Sequence, residues 1–360
     1  MASATQTEFS LSALVAANEK FAIRSGGHAP LTGSNTIHGR MTIDLSLLNS
    51  VRFDGTSETV SFGPGVRWKH VCAEVQKQGS VVVDGREGEI GVAGLLLGGG
   101  DTWMTARRGF ACDNVVAFEV VLADGCIVTA DRNAQSDFIR ALKGGSNNFG
   151  IVVSFTMVTI HCERIWDGST ASPEECISDA IRITMGFIEK RKSDSWFTLT
   201  VENDERIMFK AAEVHDKLVE DLKSYIPDSS FTTQCIFQPL PLVFARDSVT
   251  AGENVLGVER NSSDGILLQK NTMVKTLDQK EFAYPRVKAC IRAVEEYAAT
   301  IDGGFLEWLY LNYADESQDV LRSYGAENVE FMRAVSRKYD LQQVFQYFCP
   351  GGFKLVDVMP

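Results

Sequence analysis

Arg24-Ser25-Gly26-Gly27-His28 sets two adjacent glycines before an imidazole, directly after the apolar, strand-like Phe21-Ala22-Ile23. Glycine lets a backbone approach a ligand closely, its unobstructed N–H groups can cradle phosphate oxygens, and the histidine then faces whatever the loop holds. That chemistry suits a flat, phosphate-bearing cofactor. By itself the pentapeptide also reads as a polar turn in which His28 meets only local hydrogen-bonding needs. Further glycine loops favour the cofactor. Gly85-Arg-Glu-Gly-Glu-Ile-Gly-Val-Ala-Gly94 runs into Leu95-Leu-Leu-Gly98-Gly99-Gly100, while Gly109-Phe-Ala-Cys-Asp-Asn-Val115 and Lys143-Gly-Gly-Ser-Asn-Asn-Phe-Gly-Ile151 combine glycine with Asn or Asp ahead of apolar runs. No G-x-G-x-x-G fingerprint stands at a strand-to-helix junction, which argues against a Rossmann site.

The elements that must position these loops are short. Alternation and apolar runs predict strands over 41–45, 59–62, 81–83 and 117–122, and helical periodicity predicts a helix over 68–76. Glycine thins out after about residue 159. From there the pattern predicts helices over 173–191, near 211–225, and over 284–299 and 328–339, with strands over 196–201, 265–268, 271–275 and 305–313. The whole reads as an α+β protein of two domains, without internal repeats or low-complexity segments.

Composition narrows the partners. A net charge of -12 and a pI near 5.0 argue against a nucleic-acid or anionic-membrane partner, since both need clustered Lys and Arg, and no basic run appears in the sequence. The eight cysteines (72, 112, 126, 162, 176, 235, 290 and 349) form no C-x-x-C pair and have no His at ligand spacing, so no metal site is expected and most read as free and buried. The first residues lack the basic start and apolar core of a signal peptide, and no apolar run approaches a membrane span, which predicts a cytoplasmic protein.

The loops at 24–28, 85–100 and 109–115, together with Leu122-Ala-Asp-Gly125 and Gly144-Gly-Ser-Asn-Asn-Phe-Gly-Ile-Val152, resemble the flavin domain of berberine-bridge-type FAD-linked oxidases, of the vanillyl-alcohol-oxidase or PCMH-type fold. Tyr310-Leu-Asn-Tyr-Ala-Asp315, Ser323-Tyr-Gly-Ala-Glu-Asn328, and Tyr339-Asp340 with Val344-Phe345 resemble the same family, especially its fungal secondary-metabolism members. The resemblance implies a PCMH-type FAD-binding domain over 1–158, a substrate domain over 159–318 whose antiparallel sheet is covered by helices, and a segment 319–360 returning to the FAD domain.

It also implies where FAD sits. In this family the histidine of the Arg-Ser-Gly-Gly-His loop bonds to the flavin 8α-methyl. His28 is the matching residue, and Arg24, Ser25, Gly26 and Gly27 surround the pyrophosphate and ribityl chain. Gly98, Gly99, Gly100, Asn114, Asn148, Gly150 and Ile151 are expected as further contacts. Many relatives attach flavin a second time through a cysteine two residues after the glycine opening the second series. Glu87 stands there, between Arg86 and Gly88, so attachment through His28 alone is expected; contact without a bond is the alternative.

Oxidation by flavin also needs a base for any substrate O–H or N–H proton. In plant relatives the tyrosine of the matching Asn-Tyr segment serves, which points to Tyr313. A phenol ionises near about pH 10, so that role requires a neighbour that stabilises phenolate. The alternative is a strand residue whose hydroxyl is tied to backbone. Asn312 and Asp315 read as organisers of the strand end, and Pro30 replaces a further tyrosine of many plant members.

Two departures bear on activity. Only a short stretch precedes the histidine loop, where relatives carry a strand–helix–strand unit, and the middle of the second domain is compressed around 202–228. The expectation is a shortened FAD domain, from either a naturally short member or an incomplete gene product, whose uncovered apolar surface a homodimer partner would hide. The implied reaction is oxidation of a small organic, secondary-metabolite substrate by hydride transfer to FAD, with molecular oxygen as electron acceptor. Redox-neutral cyclisation or isomerisation and a non-catalytic truncated member are the alternatives. Trp103, Trp196, Trp308, Tyr310 and Phe282 are candidates for an aromatic pocket, though such residues more often belong to core.

Overall fold

Along 151–158, Ser154, Thr156 and Val158 are half-buried, while Ile151, Val152, Val153, Phe155 and Met157 are buried. A segment this apolar is stable only with strands on both sides. It receives them: Phe155 stacks on Phe62 at 5.9 Å and meets Phe118 edge-on at 5.6 Å. The computed structural model describes residues 4–162, 196–250 and 253–359. The chain divides into two units, one from Met1–Ile165, Val243–Gly257 and Tyr324–Pro360, the other from Trp166–Leu242 and Val258–Ser323. Residues 243–257 thus join the first unit, although they fall inside the stretch expected for the substrate domain.

In the first unit, β1 (Phe21–Arg24) pairs in parallel with β2 (Met41–Asp44). A five-stranded antiparallel sheet follows the order β3 (Val51–Asp54), β4 (Thr59–Phe62), β8 (Ile151–Val158), β6 (Val115–Val121), β7 (Ile127–Asp131). β5 (Ser80–Val81) pairs with β9 (Ile160–His161). One core joins Leu11 of the helix Ala4–Ala16 to Phe21, Ile43, Val121 and Ile151, and to Val344, Phe345 and Cys349 near the C-terminus. The Phe21 N–H donates to the Phe348 carbonyl at 2.8 Å, so this late segment closes over the strand that carries the first glycine loop.

The second unit is an antiparallel sheet in the order β11 (Thr232–Leu240), β12 (Gly265–Met273), β10 (Trp196–Glu202), β13 (Phe305–Leu306). Helices Glu205–Tyr225 and Leu277–Ala298 bury apolar stripes against one face, where Phe197, Leu199, Val201, Ile266 and Leu268 meet Met208, Leu218, Val287 and Val294. Their starts are capped. The Asp204 carboxylate accepts from the Arg206 N–H, and Thr276 and Gln279 form a capping box.

The α+β class is what the sequence pattern predicts, and the antiparallel sheet under helices is what the family resemblance implies. Strand 59–62 and helix 68–76 have the predicted ends. Residues 265–273 form one strand rather than two, and both long helices start at their capping residues, earlier than apolar periodicity alone suggests. The strand expected over 305–313 stops at Leu306, because β10 offers partners only at Thr200 and Val201. Beyond it, Trp308 and Tyr310 are buried by stacking on each other at 5.8 Å, and Leu311–Tyr313 is a 3-10 turn. The helix expected over 173–191 and Cys176 lie outside the described residues. The seven described cysteines are free; Cys112, Cys290 and Cys349 are buried and Cys126 is exposed.

Candidate functional site

β1 ends at Arg24, whose guanidinium pairs with Asp44, its register partner on β2, at 2.6 Å. That hydrogen bond is the main reason the Asp44 carboxyl lies below the usual range. The pair fixes where the loop leaves the sheet. A Cβ on Gly26 would then lie 2.5 Å from the Gly91 Cα, and one on Gly91 would lie 2.6 Å from the Gly26 Cα. Backbone packs on backbone, which only two glycines allow. Gly91 is held in turn by its bridge to Arg67, with the Trp68 N–H donating to the Ile90 carbonyl at 3.1 Å and the Val92 N–H to the Val66 carbonyl at 3.2 Å.

Past this contact the loop is open. Gly27 has φ +68, a glycine conformation, and the space where its Cβ would be meets only Arg24 side-chain carbons at 3.7 Å or more. His28 is exposed. Among the described residues, none accepts a hydrogen bond from the backbone N–H of Ser25, Gly26 or Gly27. Gly94, in the helix Val92–Leu97, faces open space. Unspent donors beside glycines without a neighbour make a cradle for an anionic group, and FAD with its pyrophosphate fits it.

The glycines at 98–100 answer to packing inside the protein. Gly98 caps the helix Val92–Leu97, and the carbonyls of Gly99 (φ +108) and Gly100 (φ +89) accept from the N–H groups of Cys112 and Ala111 at 2.9 and 2.8 Å. A Cβ on Gly99 would come within 3.0 Å of Leu256, and one on Gly144 within 2.6 Å. The Leu256 side chain occupies the space that both glycines leave. Gly150 is pressed on Val120 in the same way, at 2.5 Å.

Two expected cofactor contacts spend their amides internally. Asn114 donates to the Arg108 and Phe110 carbonyls, both at 3.0 Å. Asn148 donates to the Gly145 and Phe353 carbonyls at 2.9 Å and accepts from Gln346 at 3.1 Å. Ile151 lies in the apolar core. Glu87, where a cysteine would stand, is largely buried, with Oε1 3.4 Å from the Glu89 N–H. Pro30 is exposed.

A buried network that sequence reading missed surrounds Asp113. Its carboxylate accepts from the Phe110 N–H at 2.8 Å, the Ser248 hydroxyl at 2.6 Å and the Asn254 amide at 2.9 Å. Burial pushes its pKa up and that of neighbouring Lys143 down, and the Lys143 ammonium donates to the Asp113 carbonyl at 3.4 Å. The network ties 243–257 to the loop at 109–115. Ser248 and Asn254 are 135 and 141 residues from Asp113, so no local pattern could have revealed the link.

In the second unit, Tyr313 closes its 3-10 turn with its ring edge-on to Tyr310 at 4.7 Å and 5.5 Å from Trp196. Its hydroxyl donates to Gln238 Oε1 at 3.4 Å, a long bond. Asp315 accepts from the Tyr284 hydroxyl at 2.8 Å and the Ser317 N–H at 2.9 Å; burial first, then this carboxylate, raises the Tyr284 pKa. Of the aromatic candidates in this unit, Trp196 and Tyr310 gather around Tyr313, whereas Phe282 stacks on Tyr225 at 4.0 Å. Trp103, in the first unit, is half-exposed beneath Arg86. Among the described residues there is no cluster able to hold a metal ion, and no helix is long and apolar enough to cross a membrane.

Comparison with known proteins points to the same cofactor. Residues 2–131 match the family described as FAD binding domain. An FAD-dependent monooxygenase of Aspergillus calidoustus, drtC, is 32% identical over 94% of this chain and 78% of its own length. Another, sdcF of Emericella nidulans, is 30% identical over 93% of this chain and 85% of its own. Among solved structures, 6-hydroxy-D-nicotine oxidase from Arthrobacter nicotinovorans superposes with a TM-score of 0.69 over 95% of this chain and 89% of its own, at 18% identity. Glucooligosaccharide oxidase from Acremonium strictum, whose FAD is 6-S-cysteinyl and 8α-N1-histidyl, gives 0.70 over 99% and 90%, at 17% identity. Shared sequence over most of its length and a shared fold place the chain in the berberine-bridge-enzyme-like FAD-linked oxidoreductases, of the PCMH-type flavoprotein fold.

Proposed function

We propose that the chain holds FAD covalently through His28 alone and oxidises a small organic substrate of secondary metabolism, with molecular oxygen taking the electrons. The supporting observation is the loop 24–28: three backbone donors without an acceptor among the described residues, a glycine-only turn at Gly27, docking of Gly26 on Gly91, and an exposed imidazole at the end. FAD, when bound, supplies a two-electron acceptor that takes hydride from the substrate and passes the electrons to oxygen as hydrogen peroxide. The Ser25–Gly27 amides hold its phosphates and His28 anchors its ring. Arg24, fixed by Asp44, and the glycines at 98–100 and 150 shape the walls; Asn114, Asn148 and Ile151 hold those walls in place. Glu87 cannot form the thioether that a cysteine forms in the bicovalent relative.

In the second unit, which carries the substrate, Tyr313 accepts the substrate proton. Turning the Gln238 amide presents Nε2 to the phenol oxygen and stabilises phenolate. A second reading, transfer of an oxygen atom to the substrate, is supported by the monooxygenase names of the fungal relatives. Labelled oxygen separates the two, since it enters the product only in the second.

The covalent link is tested by acid precipitation. Wild-type protein keeps its absorbance at about 450 nm in the pellet, and His28→Ala releases it to the supernatant. Colourless wild-type protein, or flavin released from it by acid, overturns the proposal.

A further inference from the structure

Cys235 on β11 and Lys270 on β12 are register partners. Residues directly opposed on antiparallel strands have Cβ atoms about 4.5–5.5 Å apart. Both side chains turn toward the helix Glu205–Tyr225 and reach one atom there: the Ala211 carbonyl oxygen lies 3.2 Å from Lys270 Nζ and 3.9 Å from Cys235 Sγ. Lys270 is fully buried, while Cys235 is half-buried on the edge strand.

The surroundings leave this pair to itself. Among the described residues, no carboxylate forms an ion pair with Lys270. One helical turn past Ala211, His215 has a buried Nδ1 without a hydrogen-bond partner; burial first, then the Lys270 charge, holds its pKa down to about 3, so it is neutral at ordinary pH. The second thiol nearby, Cys290, donates to the Val214 carbonyl at 3.3 Å. A thiol and an amine converge on one carbonyl, and among the described residues no carboxylate pairs with the buried cation.

We propose that Cys235 and Lys270 form a peroxide-driven covalent crosslink, in which the cysteine sulfur becomes bonded to the lysine nitrogen as a sulfenamide. Hydrogen peroxide first oxidises the thiol: the S–H and O–O bonds break, an S–OH bond forms, and water leaves, the sulfur losing the two electrons that peroxide gains. Lys270 Nζ then attacks that sulfur. The S–N bond forms as the S–O bond breaks, the departing hydroxide takes one nitrogen-bound proton to become water, and the ammonium's other surplus proton passes to solvent. No further oxidant is needed. The link replaces a buried cation and a thiol by one neutral group, which removes the cost of burying the charge. It also takes the sulfur out of reach of irreversible over-oxidation.

The test treats the full chain with hydrogen peroxide, digests it without reductant and maps the peptides by mass. The expected product joins the Cys235 peptide to the Lys270 peptide at about 2 Da below their summed mass and reverts with dithiothreitol. It is absent from Cys235→Ala and persists in Cys290→Ala. Cys235 recovered as free thiol or as sulfinic or sulfonic acid, Cys235 in a disulfide with Cys290, or a linked peptide carrying extra oxygen would each overturn the proposal. The wild-type map is decisive even if a variant fails to fold, and added peroxide makes it independent of flavin turnover.

Discussion

The proposed roles of Tyr313 as base and His28 as tether place opposite demands on their surroundings. A tether needs only access, and His28 is exposed; a base needs a neighbour that changes its ionisation, and Gln238 is the side chain that meets the Tyr313 hydroxyl. Tyr313→Phe is expected to lower kcat by about 10²- to 10⁴-fold while flavin content stays at the wild-type level. Unchanged turnover by stopped-flow reduction would remove Tyr313 from the reaction. The glycine loop that ends at His28 is marked in the sequence by adjacent residues, whereas Gln238 is 75 residues from Tyr313 and nothing local marks it.

His215 gives a residue-scale prediction about pH. Its pKa falls from the ordinary 6.5 to about 3 in the folded chain, so below pH 6.5 the unfolded chain takes up a proton that the folded one refuses. Stability therefore drains away as pH falls from 6.5 toward 3. Replacing His215 with Phe flattens that part of the acid limb in urea titrations at stepped pH; an unaltered slope would show that His215 does not contribute to it.

At the scale of elements, two glycines in neighbouring loops have separable roles. Gly91→Ala pushes a methyl group against Gly26 and is expected to cost about 1–3 kcal/mol by overpacking, with loss of flavin. Gly94→Ala meets nothing inside the protein, so the melting temperature holds or rises by the usual helical gain. It intrudes on the proposed cradle, and flavin retention falls. Retention at the wild-type level in Gly94→Ala would locate the phosphates elsewhere. Elements with clean alternation, such as β4, were legible to the residue. The run 305–313 was not, since its aromatics are buried by stacking rather than by a ladder, and periodicity cannot tell these apart.

For the whole molecule, each unit has its own apolar core, one joining Leu11 to Phe345 and the other joining a sheet to two long helices. Unfolding of such a chain need not be two-state. Calorimetry of His28→Ala, where FAD can be removed and restored, is expected to show two transitions, with removal of FAD lowering only the one that belongs to the first unit. In that variant, saturation to about 100 Kd contributes about 2.7 kcal/mol to whichever unit binds. A single transition that moves as one would show that the cores unfold together. Nothing in composition reveals that 243–257 joins the first unit, because a buried Asp113 and two distant partners make that link.

The leucine that fills the gap left by Gly99 and Gly144 has a consequence for how this family can diverge. Three positions far apart in the chain share one volume, so none can change size alone. Both glycines also hold positive φ, +108 and +107, which strains a side chain whatever the space, so across relatives the two glycines should persist together and residue 256 should vary only toward smaller side chains. A chimera that exchanges either glycine loop without its leucine inherits a clash or a void.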